Sequence, residues 1–196
     1  MRRVLGIDPG LVDTGYGVLM RGAGGGVEVV AAGVIGVATN APLEARLARI
    51  YDGIVQVLEG LAPDMLVLED LYTEYRFPRT AILMAHARGV ICLAARQRGV
   101  EILTLAPATV KRAIAASGAA SKEQIQASVQ RLLALDRPPR PSHVADALAL
   151  ALTGLSRAGG LRTMGDSGAP QTPRRSGRPG AAGPPLVKPV SERGLG

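Results

Sequence analysis

The spacing of apolar residues changes several times along the first 156 residues and predicts both strands and helices. Short apolar runs at residues 3–8, 14–21 and 27–36, joined by an Asp-Pro-Gly turn and a glycine-rich turn, predict three strands in an antiparallel meander. Two later apolar runs, at residues 64–69 and 101–105, are too short for stable helices and predict buried strands.

Helical periodicity follows the meander and separates the later strands. Apolar residues three and four positions apart predict an amphipathic helix at residues 41–61, with Asn40 as its N-cap. Ser121 and Gln124 form a capping-box pattern that begins a second amphipathic helix, at residues 122–135. Further helices are predicted at residues 80–98, 107–116 and 143–157. This order of elements predicts an α/β fold with a mixed five-stranded sheet flanked by helices.

The formal charge of +7 is distributed unevenly between two parts of the chain. Residues 157–196 contain seven basic and two acidic residues, with nine glycines, six prolines and no apolar period, and we expect a disordered tail. The tail accounts for +5 of the charge and leaves +2 on the predicted domain at residues 1–156. The basic total is therefore no evidence for a nucleic-acid-binding surface on that domain, and the tail is either a solvated segment or a source of nonspecific DNA affinity.

Cysteine content and hydropathy restrict the class of protein. Cys92 is the single cysteine and lies in an apolar run, which excludes an internal disulfide framework and a multi-cysteine zinc site and indicates a core thiol. The first apolar run is interrupted at Asp8, before it reaches the length of a signal sequence. No run approaches the roughly 18 apolar residues of a membrane span, so we expect a cytoplasmic protein that does not cross a membrane.

Three acidic residues occupy positions that suggest chemistry. Asp8 and Glu69 each end an apolar strand, where an aspartate in a turn or a solvated glutamate would be an ordinary structural feature. Asp146 differs because it is the only charged group between Val144 and Leu152, in a helix that is apolar on all sides. A buried carboxylate needs a partner, and His143 lies three positions earlier on the same face. The pair is either a ligand or catalytic site or a structural hydrogen bond.

These four side chains can converge because ligands gather at the strand ends of α/β sheets. Several carboxylates and one imidazole in one cleft would repel one another without a cation, and oxygen-rich ligand sets favour Mg²⁺ or Mn²⁺. Two such ions about 4 Å apart would polarise a phosphodiester, activate a water and stabilise the leaving 3′ oxygen. Asp8, Glu69, His143 and Asp146 are therefore candidate metal ligands of a nuclease.

Aromatic and basic residues provide candidate DNA contacts. The segment after Glu69 mixes Tyr72, Tyr75 and Phe77 with arginines such as Arg76, which suits stacking on displaced bases and pairing with phosphates. Core packing is the alternative for Tyr75 and Phe77. Lys111 and Lys122 lie near predicted helix starts and are either solvated or in contact with DNA phosphates.

Several motifs together resemble one known family over roughly residues 1–156. The matching motifs are Gly6-Ile7-Asp8-Pro9-Gly10, Thr14-Gly15-Tyr16-Gly17-Val18, Val67-Leu68-Glu69-Asp70-Leu71-Tyr72, Ala87-Arg88-Gly89-Val90 and Ala145-Asp146-Ala147-Leu148-Ala149. Their order and spacing are similar to those of the RuvC family of crossover junction endodeoxyribonucleases.

The resemblance implies an RNase H-like fold and a homodimer that binds a four-way Holliday junction and nicks two opposing strands symmetrically, in DNA recombination and repair. It implies that Asp8, Glu69, Asp146 and the residue three before Asp146 are the catalytic, metal-binding set. It places Lys111 and Lys122 beside the DNA backbone and Tyr72 against unstacked bases. The helix at 80–98 corresponds to the family's dimer interface, although core packing explains its small residues equally well. The RuvA and RuvB branch-migration proteins are implied partners.

The chain departs from many family members at one ligand position. Many of them have an aspartate where this chain has His143, while others also have histidine. An imidazole is a softer ligand than a carboxylate and suits manganese better than magnesium. We therefore expect stronger activity with Mn²⁺.

Three other functions compete with this interpretation. The Gly-Ile-Asp-Pro-Gly motif also resembles the phosphate loop of actin-like and sugar-kinase ATPases, but those proteins need a second domain as the other wall of the nucleotide cleft. A nuclease of the same fold could instead cleave RNA in RNA:DNA hybrids. A non-catalytic DNA-binding or structural module of the same fold is the third alternative, and the presence of Asp8, Glu69 and the His143–Asp146 pair argues against it.

Overall fold

The structure is a computed structural model that describes residues 2–22, 25–70 and 78–159. The strands are β1 (Arg3–Asp8), β2 (Asp13–Arg21), β3 (Val27–Gly36), β4 (Met65–Glu69) and β5 (Glu101–Leu105). The helices are α1 (Leu43–Leu61), α2 (Pro78–Gln97), α3 (Pro107–Ala115), α4 (Lys122–Leu132) and α5 (Ser142–Gly159). Every strand and helix predicted from the sequence is present, with differences at the ends.

The five strands form one mixed sheet in the order β3-β2-β1-β4-β5. The first three strands pair antiparallel, which confirms the predicted meander. β4 pairs parallel with β1, and β5 pairs parallel with β4. The carboxyl ends of β1, β4 and β5 therefore lie at the same edge of the sheet.

Alternate residues of each strand enter different cores because side chains alternate between the two faces of a sheet. Leu5, Ile7 and Leu68 pack in one core with apolar residues of α1 and α2. Val4 and Val67 pack in the other core, with apolar residues of α3, α4 and α5. By the same alternation, Asp8 and Glu69 belong to the face that α5 covers.

Two helix boundaries differ from the sequence prediction for identifiable reasons. Asn40 is not the N-cap of α1; the cap is Pro42, which makes no side-chain hydrogen bond. A residue that precedes proline is driven out of the helical region, so Ala41 cannot begin the helix. The predicted capping box of Ser121 and Gln124 is confirmed, but α4 ends at Leu132 because Ala134 adopts a left-handed conformation with a φ of 49°.

Some sequence predictions lie partly or wholly outside the described residues. α5 continues past Ser156 to Gly159, and the rest of the predicted tail, residues 160–196, is outside the described part of the chain. Tyr72, Tyr75 and Arg76 lie in the 71–77 gap and are outside it as well. Cys92 is half-buried against the α1–α2 core. Within the described residues, no helix is both long and apolar enough to span a membrane.

α5 packs very closely on the sheet because the residues beneath it are glycines. A Cβ atom at Gly6 would lie 2.0 Å from the carbonyl oxygen of Ala147 and 2.6 Å from the amide nitrogen of Ala151. A Cβ atom at Gly15 would lie 2.2 Å from the carbonyl oxygen of His143. The backbone of α5 therefore rests directly on β1 and β2.

We expect the substitution Gly6→Ala to lower the free energy of unfolding by about 3 kcal/mol, because the new methyl group meets helix backbone that cannot move aside. Gly60→Ala, in α1, is the matched control because a Cβ atom there meets nothing within 4 Å. The control should leave stability unchanged or raise it by up to about 1 kcal/mol. Urea unfolding measures both, and equal effects of the two substitutions would contradict the close packing of α5.

Candidate active site

Asp8 and Glu69 lie side by side at the carboxyl ends of two parallel strands. β1 and β4 pair in register up to Ile7 and Leu68, and the next residue of each strand is one of the two carboxylates. Both side chains are half-buried on the α5 side of the sheet. The position of each at a strand end, predicted from the sequence, is confirmed.

The first turn of α5 adds the other two candidate ligands. The Nδ1 atom of His143 and the Oδ2 atom of Asp8 are 2.6 Å apart and share a hydrogen bond. The sequence spacing suggested that His143 would pair with Asp146, but its hydrogen bond is made across the structure to Asp8. An ionised carboxylate can only accept, so a neutral His143 bonded to it carries its hydrogen on Nδ1 and keeps a lone pair on Nε2.

The turn that follows Asp8 is held from two sides. Thr14 is fully buried and its hydroxyl donates to the carbonyl oxygen of Gly10 over 2.7 Å. Arg46 of α1 donates to the carbonyl oxygen of Leu11 through both Nε and Nη2, at 2.9 and 2.6 Å. This role of Arg46 is not predictable from the sequence, because a helical arginine gives no local sign that it contacts a distant carbonyl.

A second arginine lies behind Glu69. Arg88 of α2 donates through Nη1 to the backbone carbonyl of Glu69 and through Nη2 to the hydroxyl of Thr104, the latter over 2.9 Å. Sequence analysis noted Arg88 only as part of a motif. The partner of its side chain could not be read from the sequence, because α2 and the end of β4 are brought together by tertiary packing.

The four candidate ligands line one cleft of about 480 Å³. Lys111 of α3 and Lys122 at the start of α4 line the same cleft, so both predicted lysines lie close to the carboxylates. The remaining walls are largely apolar and consist of residues from α2, α3, α4 and α5, among them Met84, Val110, Ile125 and Leu150. The cleft therefore combines acidic and basic side chains with largely apolar walls.

Burial raises the pKa of all three carboxyl groups in the cleft. The pKa of Glu69 is raised to about 7, first by burial and then by the charges of Asp8 and Asp146, against the opposing effect of Lys111 and Lys122. Burial also raises the pKa of Asp8, although the hydrogen bond from His143 opposes it. For Asp146, burial and the charge of Asp8 raise the pKa. Burial is therefore the first cause of all three shifts, and repulsion from neighbouring carboxylates adds to it for Glu69 and Asp146.

The donor types in the cleft fit a divalent cation. Carboxylate oxygens with one imidazole nitrogen are ligands that Mg²⁺ and Mn²⁺ accept, and a cation would favour the ionised form of these buried carboxyl groups. Within residues 2–22, 25–70 and 78–159, however, no three His, Cys, Asp or Glu side chains are grouped closely enough to hold an ion as they stand. The structure therefore has the donors around one cleft without a finished coordination shell.

Comparison with known proteins identifies relatives over the described domain. The family model for the crossover junction endodeoxyribonuclease RuvC matches residues 4–154. The enzyme of that name from Rhodopirellula baltica is 46% identical over 151 residues, which cover 77% of this chain and 84% of the relative. The one from Sorangium cellulosum is 44% identical over 174 residues, which cover 89% of this chain and 95% of the relative.

A solved structure agrees with this assignment. The structure described as T. thermophilus RuvC in complex with Holliday junction substrate is 31% identical, superimposes with a TM-score of 0.72, and covers 82% of this chain and 98% of that one. The predicted RNase H-like fold is confirmed by this match. The chain belongs to the RuvC family of crossover junction endodeoxyribonucleases, which are metal-dependent enzymes.

Proposed function

We propose that this protein resolves four-way DNA junctions by nicking two opposing strands symmetrically, in recombination and repair. The observation that carries the proposal is the convergence of Asp8, Glu69, His143 and Asp146 on one cleft that also contains two lysines. The description of the related T. thermophilus structure, which names a Holliday junction substrate, supports the choice of DNA substrate. We infer that the enzyme acts on DNA in the cytoplasm.

We infer that these four side chains bind two divalent ions and are the catalytic residues. The bound ions supply Lewis acidity at the scissile phosphate and lower the pKa of an attacking water. Asp8 and Glu69 are anchored on strands, and Asp146 is anchored on a buried helix, so the chain brings the donors to one cleft, and small side-chain movements would complete the coordination. His143 orients the Asp8 carboxylate through its Nδ1 hydrogen bond. The lone pair on its Nε2 is then the one that can bind a metal ion.

The choice between the two metals follows from His143. Imidazole nitrogen binds Mn²⁺ more readily than Mg²⁺, which prefers oxygen ligands and releases its water reluctantly. We therefore propose that Mn²⁺ supports faster cleavage than Mg²⁺ at equal occupancy of the site.

DNA contacts of this proposal involve two groups of residues. Lys111 and Lys122 line the cleft, where their charges suit the phosphates that flank the cleaved bond. Tyr72, Tyr75 and Arg76 follow Glu69 directly in the sequence, and we propose that they stack on, or pair with, the opened strands at the junction centre. Partnership with the RuvA and RuvB proteins is part of the same proposal.

The outer face of α2 supports a homodimer. Ile82 and Leu93 are 57% and 50% exposed, unusually high values for apolar side chains of this size. Ala85 and Gly89 lie between them on the exposed side of the helix and are small enough for close helix packing. We propose that two copies of α2 pack together here, so that two active sites face two strands of one junction.

Cleavage of DNA tests the main proposal directly. We expect the protein to make paired nicks in a labelled mobile four-way junction, with Mn²⁺ exceeding Mg²⁺, and to leave linear duplex and RNA:DNA hybrid intact. Asp8→Asn should reduce nicking on the order of ten-thousandfold because it removes one member of a ligand set that acts as a unit, while junction binding persists.

The control for that experiment is Asp52→Asn, an exposed carboxylate in α1 whose loss should leave nicking unchanged. Cleavage confined to the hybrid would overturn the junction proposal in favour of an RNase H activity. ATP hydrolysis without nicking would favour the ATPase alternative, and binding without cleavage would favour a non-catalytic module.

Glu69→Gln should abolish nicking and also stabilise the metal-free protein. The folded-state pKa of Glu69 is about 7, above its ordinary value of 4.5, so the folded protein holds that proton more tightly than the unfolded chain does. Stability of the wild type should therefore fall as the pH rises from about 4.5 through 7, and glutamine should suppress part of that fall. Thermal unfolding in EDTA at pH 5 and pH 8 measures the difference, with the exposed Glu44→Gln as control. A stabilisation that is the same at both pH values would contradict this explanation.

Leu93→Glu should convert the proposed dimer into a monomer and reduce paired nicking. Each copy of α2 would bring a negative charge into the interface, where it would be buried without a partner. Leu132→Glu is the matched control, since Leu132 of α4 is also an exposed leucine, at 42%. Light scattering after gel filtration gives the mass of each variant. A Leu93→Glu variant that remains dimeric would place the interface elsewhere.

A further inference from the structure

Arg88 links the helix α2 to the ends of two strands beside the candidate active site. Its guanidinium donates from Nη1 to the backbone carbonyl of Glu69, the last residue of β4. Its Nη2 donates to the hydroxyl of Thr104 in β5 over 2.9 Å. One rigid planar group therefore spans two neighbouring strands.

The point of attachment is the end of the parallel ladder. Glu69 pairs with Leu105 as the final pair of β4 and β5, and the amide of Asp70 donates to the carbonyl oxygen of Leu105 over 2.8 Å. Residues 71–77 then lie outside the described part of the chain. Arg88 therefore binds the Glu69 carbonyl at the last pair of the β4–β5 ladder. The ends of strands open most easily, so a contact at this point stabilises the end of β4.

Arg88 reaches Glu69 through the backbone and does not line the cleft. α2 packs in the α1–α2 core and lines the cleft through Met84, whereas the Glu69 side chain belongs to the α5 face of the sheet. The cations that line the cleft with the Glu69 carboxyl group are Lys111 and Lys122. Arg88 therefore has the geometry to fix the direction of the Glu69 side chain without touching metal or substrate.

We propose that Arg88 is a positioning residue for DNA cleavage, which holds the Glu69 carboxylate at its place in the ligand set by clamping the Glu69 carbonyl to β5. This inference rests on the proposed function, in which Glu69 binds a metal ion. The clamp depends on the fork of a guanidinium, because its two terminal nitrogens lie in a fixed plane and each contacts one acceptor, whereas lysine carries all of its donors on one nitrogen at the end of a flexible stem.

The test compares Arg88→Lys with Arg96→Lys, the same substitution at an exposed position of the same helix. Mn²⁺ binding to the DNA-free full-length protein, followed by electron paramagnetic resonance, reports the ligand set without requiring catalysis. We expect Arg88→Lys to weaken Mn²⁺ binding by about tenfold, as groups that orient a metal ligand commonly do, while Arg96→Lys matches the wild type. Glu69→Gln identifies the part of the binding that depends on Glu69.

Single-turnover nicking and junction binding in EDTA complete the comparison. We expect Arg88→Lys to lower the nicking rate by about tenfold or more and to leave junction affinity unchanged. Thr104→Val, which removes the second acceptor at an exposed position, should give a smaller loss in the same direction. Thr104 is exposed, so we expect Thr104→Val to leave the stability of the fold unchanged. This variant therefore tests the positioning role of Arg88 even if Arg88→Lys lowers the melting temperature.

Wild-type Mn²⁺ binding in Arg88→Lys and Thr104→Val would overturn the proposal. Loss of junction affinity with unchanged Mn²⁺ binding would overturn it as well, by making Arg88 a DNA contact. If the wild type nicks no junction but Arg88→Lys still weakens Mn²⁺ binding that depends on Glu69, the proposed function fails while the positioning role of Arg88 stands.

Discussion

The direct contact between the backbone of α5 and strands β1 and β2 is the constraint on which the active site depends. At Gly6 and Gly15 no side chain separates helix from sheet, and a single methyl group would overlap backbone atoms of Ala147 or His143. Close approach brings the first turn of α5 within hydrogen-bond distance of Asp8. A larger residue at either glycine would raise the helix and move His143 and Asp146 away from the strand ends.

The close packing of α5 on the sheet also brings three carboxyl groups together in a partly buried site, which is electrostatically unfavourable. Asp8, Glu69 and Asp146 are half-buried in a cleft with largely apolar walls, and burial is the first cause of the raised pKa of each. The packing energy of two apolar cores holds these charges together against their repulsion. The unfavourable electrostatics of the metal-free site increase its affinity for a cation. A bound cation would remove the repulsion between the carboxylates and offset part of the free energy lost by burying them.

The sequence predicted most of this architecture because local patterns govern it. The apolar runs and their turns gave all five strands, and the capping box at Ser121 gave the start of α4. Asp8 and Glu69 could be placed at the ends of their strands from the apolar runs that precede them, whereas the face that they share follows from the register of β1 and β4. The hydrogen bond of His143 to Asp8 was not predictable, because residues 135 positions apart are joined only when α5 docks on the sheet. The contacts of Arg46 and Arg88 with distant backbone carbonyls were not predictable for the same reason.

The two layers of helices act on the site in different ways. α3, α4 and α5 supply the side chains that face the cleft, including both lysines and the His143–Asp146 turn. α1 and α2 pack on the other side of the sheet. Met84 of α2 lines the cleft, and the polar contacts of these two helices are made to backbone carbonyls, from Arg46 to Leu11 after Asp8 and from Arg88 to Glu69. Arg88 thus contacts the backbone of Glu69 itself, whereas Arg46 contacts the turn three residues after Asp8, and neither guanidinium lines the cleft. Such backbone contacts restrain the chain next to each strand end while leaving the carboxylate oxygens available for a metal ion.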